Sequence, residues 1–329
     1  MADKVRVGFI GTGGIAGQHI NALAKMDDVQ FVAFCDVVSE KAEKAAQEHG
    51  AKAFTSADAL YDAVKPDAVW VCLPPFAHRD TELAAAERGI PFIVEKPVTI
   101  DLAQAAQVVK AVESKGLITA AAYMNRYRKG IQEAKKRFVD DPPALAFGGW
   151  IGGGPPTEGT THWFFDKKRS GGQLLEQTTH TVDLVRYFCG EAVEVCAYGT
   201  REFNKGVPGY DTEDASIATV RFANGAIATL MSALASNASG GVFLTVHAKN
   251  TTAKLDGWNH DLTLLSVGAD PVQIAGEGNI LEIEDRAFVD AVKSGDPSGI
   301  MSSYADGVKS AQISILANEC MEQGGARRV

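Results

Sequence analysis

The run VGFIGTGGIAG at residues 7–17 sets G-x-G-x-x-A at Gly11, Gly13 and Ala16. An apolar stretch of strand length precedes it and a helical pattern follows, which is the context in which this spacing constrains a fold. Gly11 permits a tight turn, Gly13 lets a phosphate approach the backbone, and Ala16 allows close packing of helix on strand. Together with Thr12, Gly14 and Ile15, they put free N–H groups and the positive end of a helix dipole where a pyrophosphate would sit. Asp36 ends the next strand-like run, 20 residues after Ala16. A carboxylate there accepts bonds from an adenosine ribose and repels a 2′-phosphate. Val37 and Val38 bring no arginine to offset that repulsion, although Lys41 is near in sequence. NAD is therefore expected as cofactor, with NADP disfavoured.

The loop stands in a repeating grammar. From residue 5 to about 122, apolar runs of strand length (VRVGFI, VQFVAFCD, DAVWVCLP, PFIVE, LITAAAY) alternate with helical segments, several of which end at Gly. Strands with no polar face, linked by helices, predict a parallel sheet covered on both sides, a doubly wound α/β domain spanning 1–122. After residue 123 the chain changes to longer β-like segments at 193–202, 215–223, 226–234 and 242–249. Asn224-Gly225 between two of them predicts a hairpin with a type I′ turn. A helix over about 172–188 and a helical tail at 281–295 and 304–322 complete an α+β domain, 123–329, built on an antiparallel sheet. Two domains also suit 329 residues, since single cores stop growing near about 250–300.

Composition narrows the partners. A net charge of -9 argues against nucleic acid or an anionic membrane, and the short basic clusters at 126–129, 135–137 and 167–169 read as solvated faces. Five widely spaced cysteines suggest reduced core thiols in place of a disulfide framework or zinc site. The N-terminal MADKVRVGFIG lacks a signal-peptide pattern, and no apolar run approaches the ~20 residues that span a bilayer. The expectation is a soluble cytoplasmic protein.

Ligands of open α/β sheets bind beyond the carboxyl ends of the strands, so VEKPVT (94–99) should bring Glu95 and Lys96 to the cofactor crevice. The glycine loop, LPPFAH (73–78), EKP (95–97) and SGG…EQTTH (170–180) occur in this order. Over nearly the whole chain they resemble the glucose-fructose oxidoreductase and inositol dehydrogenase family (Gfo/Idh/MocA). The resemblance implies an N-terminal Rossmann domain, a C-terminal domain on an open, mostly antiparallel sheet, and nicotinamide-linked chemistry on a sugar or cyclitol hydroxyl. A homodimer or homotetramer through that sheet is implied in the same way. Lys96 matches the family's EKP lysine, which contacts the reacting oxygen; His180 matches its proton-transferring histidine, and Asp183 its last acid. Glu176 stands where an Asp is frequent, and Pro75 where an Asn is usual, so a side-chain bond to the cofactor is missing at Pro75. Leu73, Pro74 and His78 are expected to border the cofactor.

In LLEQTTHTVD (174–183) a continuous helix would put Glu176, His180 and Asp183 on one stripe, pointing away from Leu174, Thr178, Val182, Val185 and Cys189. A metal reading lacks further ligands. The stripe is expected to face either water or the crevice, and the crevice is the reading adopted. Oxidising a carbinol needs a base for the hydroxyl proton; His180 is the expected base, Lys96 the polarising cation, and Glu176 and Asp183 orient the imidazole or grip neighbouring hydroxyls. Tyr123, Asn125, Arg126, Trp163, Lys168 and Arg169 are further candidates for the substrate lining. His19, His49, His162, His247 and His260 read as ordinary structural or surface residues. Two alternatives remain open: an NAD-retaining glycosidase, and a nonenzymatic sensor of NAD and sugar.

Overall fold

A computed structural model describes residues 4–329; the first three residues, part of the stretch read for a signal peptide, lie outside the described residues. The chain forms two compact units. The first runs to Met124 and also takes Asn279–Val308; the second comprises Asn125–Gly278 and Lys309–Val329.

In the first unit β1 (Val5–Ile10), β2 (Val29–Cys35), β3 (Lys52–Phe54), β4 (Ala68–Val71), β5 (Phe92–Val94) and β6 (Thr119–Ala121) alternate with five helices. These are α1 (Gly14–Leu23), α2 (Ser39–His49), α3 (Ala57–Val64), α4 (Asp80–Glu87) and α5 (Leu102–Lys115). All strands are parallel, in the order β3-β2-β1-β4-β5-β6, the doubly wound dinucleotide-binding arrangement expected from the apolar runs. β4 and β5 are buried at every position, which explains why neither shows a polar face. β3 and α3 escaped the sequence reading: β3 is a three-residue edge strand with two exposed residues and carries no apolar run. Helix ends follow local chemistry, with Asp101 accepting from Ala103 N–H and Gln104 N–H at the start of α5 and Gly116 left-handed at its end.

The second unit holds α6 (Lys129–Asp140), β7 (Leu145–Gly152), α7 (Lys167–Ser170), α8 (Gln173–Glu176) and α9 (Thr179–Cys189). The strands β8 (Ala192–Thr200), β9 (Ala215–Phe222), β10 (Ile227–Leu234), β11 (Gly241–His247), β12 (Thr251–Asp256), β13 (Asp261–Ser266) and β14 (Val272–Ile274) follow. Two helices, α10 (Ile280–Ser294) and α11 (Tyr304–Gln323), precede the short β15 (Arg327–Arg328). The nine strands form one sheet, β14-β13-β12-β11-β7-β10-β9-β8-β15, in which only the β7–β10 pair is parallel. Burial alternates strictly along β9, β10 and β11, so one face covers the apolar core while the other carries exposed Leu145, Phe147, Tyr198, Ile217 and Ile227.

Two expectations are corrected. The β9–β10 hairpin forms, but among its turn residues only Gly225 has a positive φ, at +89°; Phe222 N–H donates to the Ala226 carbonyl across a three-residue loop, so the turn is not type I′. The tail helices also do not all belong with the second unit. α10 groups with the first because Asp285 accepts from Trp70 Nε1 (2.8 Å), Phe288 sits edge-on to Trp70 (5.2 Å), and Arg286 pairs with Asp28 (2.7 Å). The 1–122 and 123–329 division is thus too simple at its C-terminal side.

Candidate active site

In the first unit, β1 delivers the glycine loop as anticipated. Gly11 has φ +89°, and a Cβ there would stand 2.3 Å from the Cys72 carbonyl oxygen at the end of β4, so only glycine fits the turn. Over Gly13 and Gly14, by contrast, a Cβ would meet nothing within 4 Å. Gly13 caps α1 with no side-chain partner, and no acidic residue occupies the helix's first turn. Open N–H groups, a dipole and no competing carboxylate fit a pyrophosphate. Ala16 is fully buried and brings α1 against the sheet, while Thr12 and Ile15 are half-buried flanks.

Asp36 is half-buried just past β2. Its Oδ2 accepts from Thr12 N–H (3.0 Å) and the Thr12 hydroxyl (2.8 Å), and its Oδ1 from Val38 N–H (3.0 Å). Burial opposes its charge, but these bonds outweigh burial and hold the carboxyl below its ordinary range. A carboxylate accepts about four bonds, which leaves capacity for a ribose hydroxyl. Val37 and Val38 are exposed and apolar and supply no cation beside Asp36.

Leu73 and Pro74 follow β4, half-buried, and Leu73 lies against the position of Gly11. His78 is buried, and its Nδ1 is 2.5 Å from Glu82 Oε1 on α4. Burial disfavours the Glu82 charge, but His78 and neighbouring N–H groups hold its pKa low. Glu95, just past β5, is buried, and its Oε2 accepts from the Lys96 N–H (3.0 Å). Its Oε1 faces His19 Nε2 at 3.1 Å, and His19 Nδ1 faces Asp285 Oδ1 at 2.8 Å. Lys96 itself is half-buried on the turn, and the Lys96–Pro97 peptide bond is cis. His19, expected to be a structural or surface histidine, is 1% exposed between two carboxylates. The signal was there: Ala16, Ile20 and Leu23 put the buried face of α1 at its position, and a titratable ring on a buried face needs charged or polar partners.

In the second unit the expected single helix is broken at Gln177 and Thr178. The β-branched pair Thr178–Thr179 is stiff, and the Thr178 hydroxyl turns to the Met231 carbonyl on β10 (3.5 Å). Glu176, 6% exposed, therefore ends α8, whereas half-buried His180 lies in the first turn of α9. The common stripe does not exist in the form expected. Asp183 faces neither water nor a crevice: at 1% exposure it accepts two bonds from Arg126 (2.8 and 2.6 Å) and one from Ser310 (2.7 Å). Arg126 also lies over the Tyr187 ring at 4.9 Å. Asp183 is thus engaged by Arg126 and Ser310, and Arg126 by Asp183 and Tyr187, which gives Asp183 a structural partner besides the imidazole it is expected to orient. Asn125 is likewise buried, accepting from Arg128 Nε (2.7 Å), and Tyr123 in the first unit is buried against the backbone of Gly307. Trp163 is half-buried on a short 3-10 turn, stacked on exposed His162 (5.4 Å), with exposed Lys168 and half-buried Arg169 on α7 just after it.

Comparisons with known proteins identify the family and the fold. The pattern of the GFO/IDH/MocA oxidoreductase family, NAD-binding Rossmann fold, matches residues 5–123, and that of the GFO/IDH/MocA C-terminal domain matches 146–254. The chain is 27% identical over 237 residues to scyllo-inositol 2-dehydrogenase (NAD(+)) of Bacillus subtilis strain 168, covering 69% of this chain and 66% of that one. It is 27% identical over 259 residues to D-glucoside 3-dehydrogenase of Escherichia coli strain K12, covering 72% of each. The chain thus spans about two thirds of the length of such relatives. Levoglucosan dehydrogenase in complex with NADH shares the fold, with a TM-score of 0.88 at 19% identity over 99% of both chains. By its glycine loop, its strand order and both family patterns, the chain belongs to the Gfo/Idh/MocA family of NAD-binding oxidoreductases.

Proposed function

We propose that the protein is an NAD-dependent dehydrogenase of a sugar or cyclitol hydroxyl, in which Lys96 and His180 handle the hydroxyl proton. The observation that carries this reading is the union in one unit of an open N–H cradle at Gly13 and Gly14, a ribose-ready carboxylate at Asp36 and the Lys96 turn. The activities named for the inositol and glucoside relatives support the substrate class. Residues Gly11–Ala16 would hold the pyrophosphate, Asp36 the adenosine ribose, and Leu73, Pro74, His78 and Glu95 would border the cofactor. When bound, the nicotinamide supplies the hydride acceptor.

The protein's task is then the proton. Loss of hydride from a carbinol carbon leaves a carbonyl, and an oxygen still carrying its proton would be a high-energy cation. His180 takes that proton from the O–H bond, and Lys96 stabilises the developing negative charge on the oxygen. Glu176 grips a neighbouring hydroxyl, and Trp163 offers an aromatic face to the ring, flanked by Lys168 and Arg169. The exposed apolar face of the nine-stranded sheet is assigned to a homodimer or homotetramer. A cytoplasmic location suits five cysteines without a disulfide.

An absorbance screen for NADH formation across cyclitols, aldoses, uronates and anhydrosugars tests the reading, with NADP in parallel. On the best substrate, Lys96→Met and His180→Ala should each lower turnover at least about a hundredfold, the range of a positioned acid or base, while NADH still binds. Full turnover in either variant removes the role given to that residue. Substrate cleavage without net NADH would replace dehydrogenation by a redox-neutral reaction.

A further inference from the structure

His19 is the one strongly buried histidine that the proposed proton transfer does not use and that lies between two carboxylates. Its ring nitrogens face Asp285 Oδ1 at 2.8 Å and Glu95 Oε1 at 3.1 Å. An ionised carboxylate only accepts hydrogen bonds, so satisfying both contacts requires a proton on each nitrogen. The ring is then an imidazolium, held at 1% exposure with Glu95 at 7% and Asp285 at 0%. These partners belong to different elements. His19 is on α1, whose N-terminus forms the phosphate cradle; Asp285 is on α10; Glu95 follows β5 and accepts from the Lys96 N–H through its other oxygen (3.0 Å). Trp70 Nε1 on β4 donates to the same Asp285 oxygen (2.8 Å) and fixes it from the sheet side.

We propose that His19 is a positioning residue: as an imidazolium bridging Asp285 and Glu95, it locks the cofactor helix to the turn that presents Lys96. The proposal rests on the assignment of Lys96 to the reacting oxygen. Glu95 is the mechanical link. With a cation on one oxygen and the Lys96 N–H on the other, the carboxylate has a single orientation, and the backbone entering the Lys96–Pro97 turn is defined by it. With a neutral partner at position 19, the buried carboxylates of Glu95 and Asp285 would repel each other without a charge between them. The turn would then be loosened at the point where Lys96 must be placed. The titratable groups facing the ring are Asp285 from α10 and Glu95 from the end of β5, with the Cys72 thiol of the β4 end beyond them. Burial opposes a charge on His19, but these two carboxylates outweigh it and raise the imidazolium pKa well above the ordinary value, while Glu95 is held low.

The test uses the full-length protein with NAD and the best sugar or cyclitol from the screen. Nitrogen-15 NMR of the histidine rings should show His19 with both nitrogens protonated at pH 7.5 in the unaltered chain; a neutral ring there overturns the proposal, whether or not any variant folds. His19→Gln should lower kcat about ten- to hundredfold, the usual cost of misplacing a group near the chemistry, while the NADH Kd changes less than about threefold. A wild-type kcat, or a loss confined to NADH binding, overturns it. In the Lys96→Met background the same substitution should cause almost no further loss, because residues acting through one group are not additive. A full second loss would show that His19 does not act through Lys96. Full turnover in Lys96→Met alone would instead remove the lysine assignment, which separates the two failures.

Discussion

In the proposed function Asp36 carries much of the cofactor choice. Its carboxylate is held ionised by bonds from Thr12 and Val38, so in the proposed reading it accepts from a ribose hydroxyl and repels a 2′-phosphate. Asp36→Ala should weaken NADH and narrow the preference for NAD over NADP by at least about tenfold, since a like charge facing the 2′-phosphate is removed. Steady-state kinetics with both cofactors measure it; an unchanged ratio would place the discrimination elsewhere. Asp36 was legible because the distance from glycine loop to strand end is set by the βαβ unit. Asp183 was not, because helical spacing says which residues share a face and nothing about what that face meets. Arg126, 57 residues away in the chain, takes both its oxygens.

Helix ends and turns carry the next level of detail. The β1–α1 turn depends on Gly11, where a Cβ would combine a left-handed φ of +89° with a 2.3 Å approach to the Cys72 carbonyl. Gly11→Ala should cost about 2–4 kcal/mol, the sum of backbone strain and forced separation of β1 from β4. Urea denaturation checks this, and a loss below about 1 kcal/mol would mean that the turn relaxes without cost. The packing of α9 depends in turn on the Arg126–Asp183 pair. Arg126→Met should destabilise the protein by about 3–5 kcal/mol by stranding a buried carboxylate, and adding Asp183→Leu should recover much of it. If the double variant is no more stable than the single one, the pair's role is not electrostatic. At the break between α8 and α9 the Thr178 N–H reaches back five residues to the Gln173 carbonyl (3.2 Å); no glycine or proline marks it, and the periodic pattern runs through it unbroken.

The whole chain responds to pH through the same buried groups. The raised pKa of His19 means that its contribution to stability is fully present below its unfolded value near 6.5 and is lost as pH rises through the folded value. Glu95 and Glu82 are lowered, so their contribution is present above their unfolded value near 4.5 and is lost as pH falls through the folded values. Stability should therefore be flat between about pH 4.5 and 6.5 and fall on both sides, the alkaline decline starting near neutral pH. The alkaline decline should shrink in His19→Gln, as urea midpoints across pH will report; an unchanged alkaline limb would assign it to other groups. No described helix is long and apolar enough to cross a membrane.

Local patterning was sufficient for the doubly wound sheet, the glycine loop, Asp36, the EKP turn and four strands of the second sheet. Each of these is set by neighbours within a few dozen residues, through hydrophobic periodicity and the backbone demands of particular turns. The missed pieces depend on contacts between distant segments. β7 is embedded in its sheet by pairing in parallel with β10 and antiparallel with β11. α10 returns to the first unit because Asp285, 266 residues from His19, answers its charge. A buried charge is stable only beside a partner, and the identity of that partner follows from how the chain closes on itself, which periodicity does not encode.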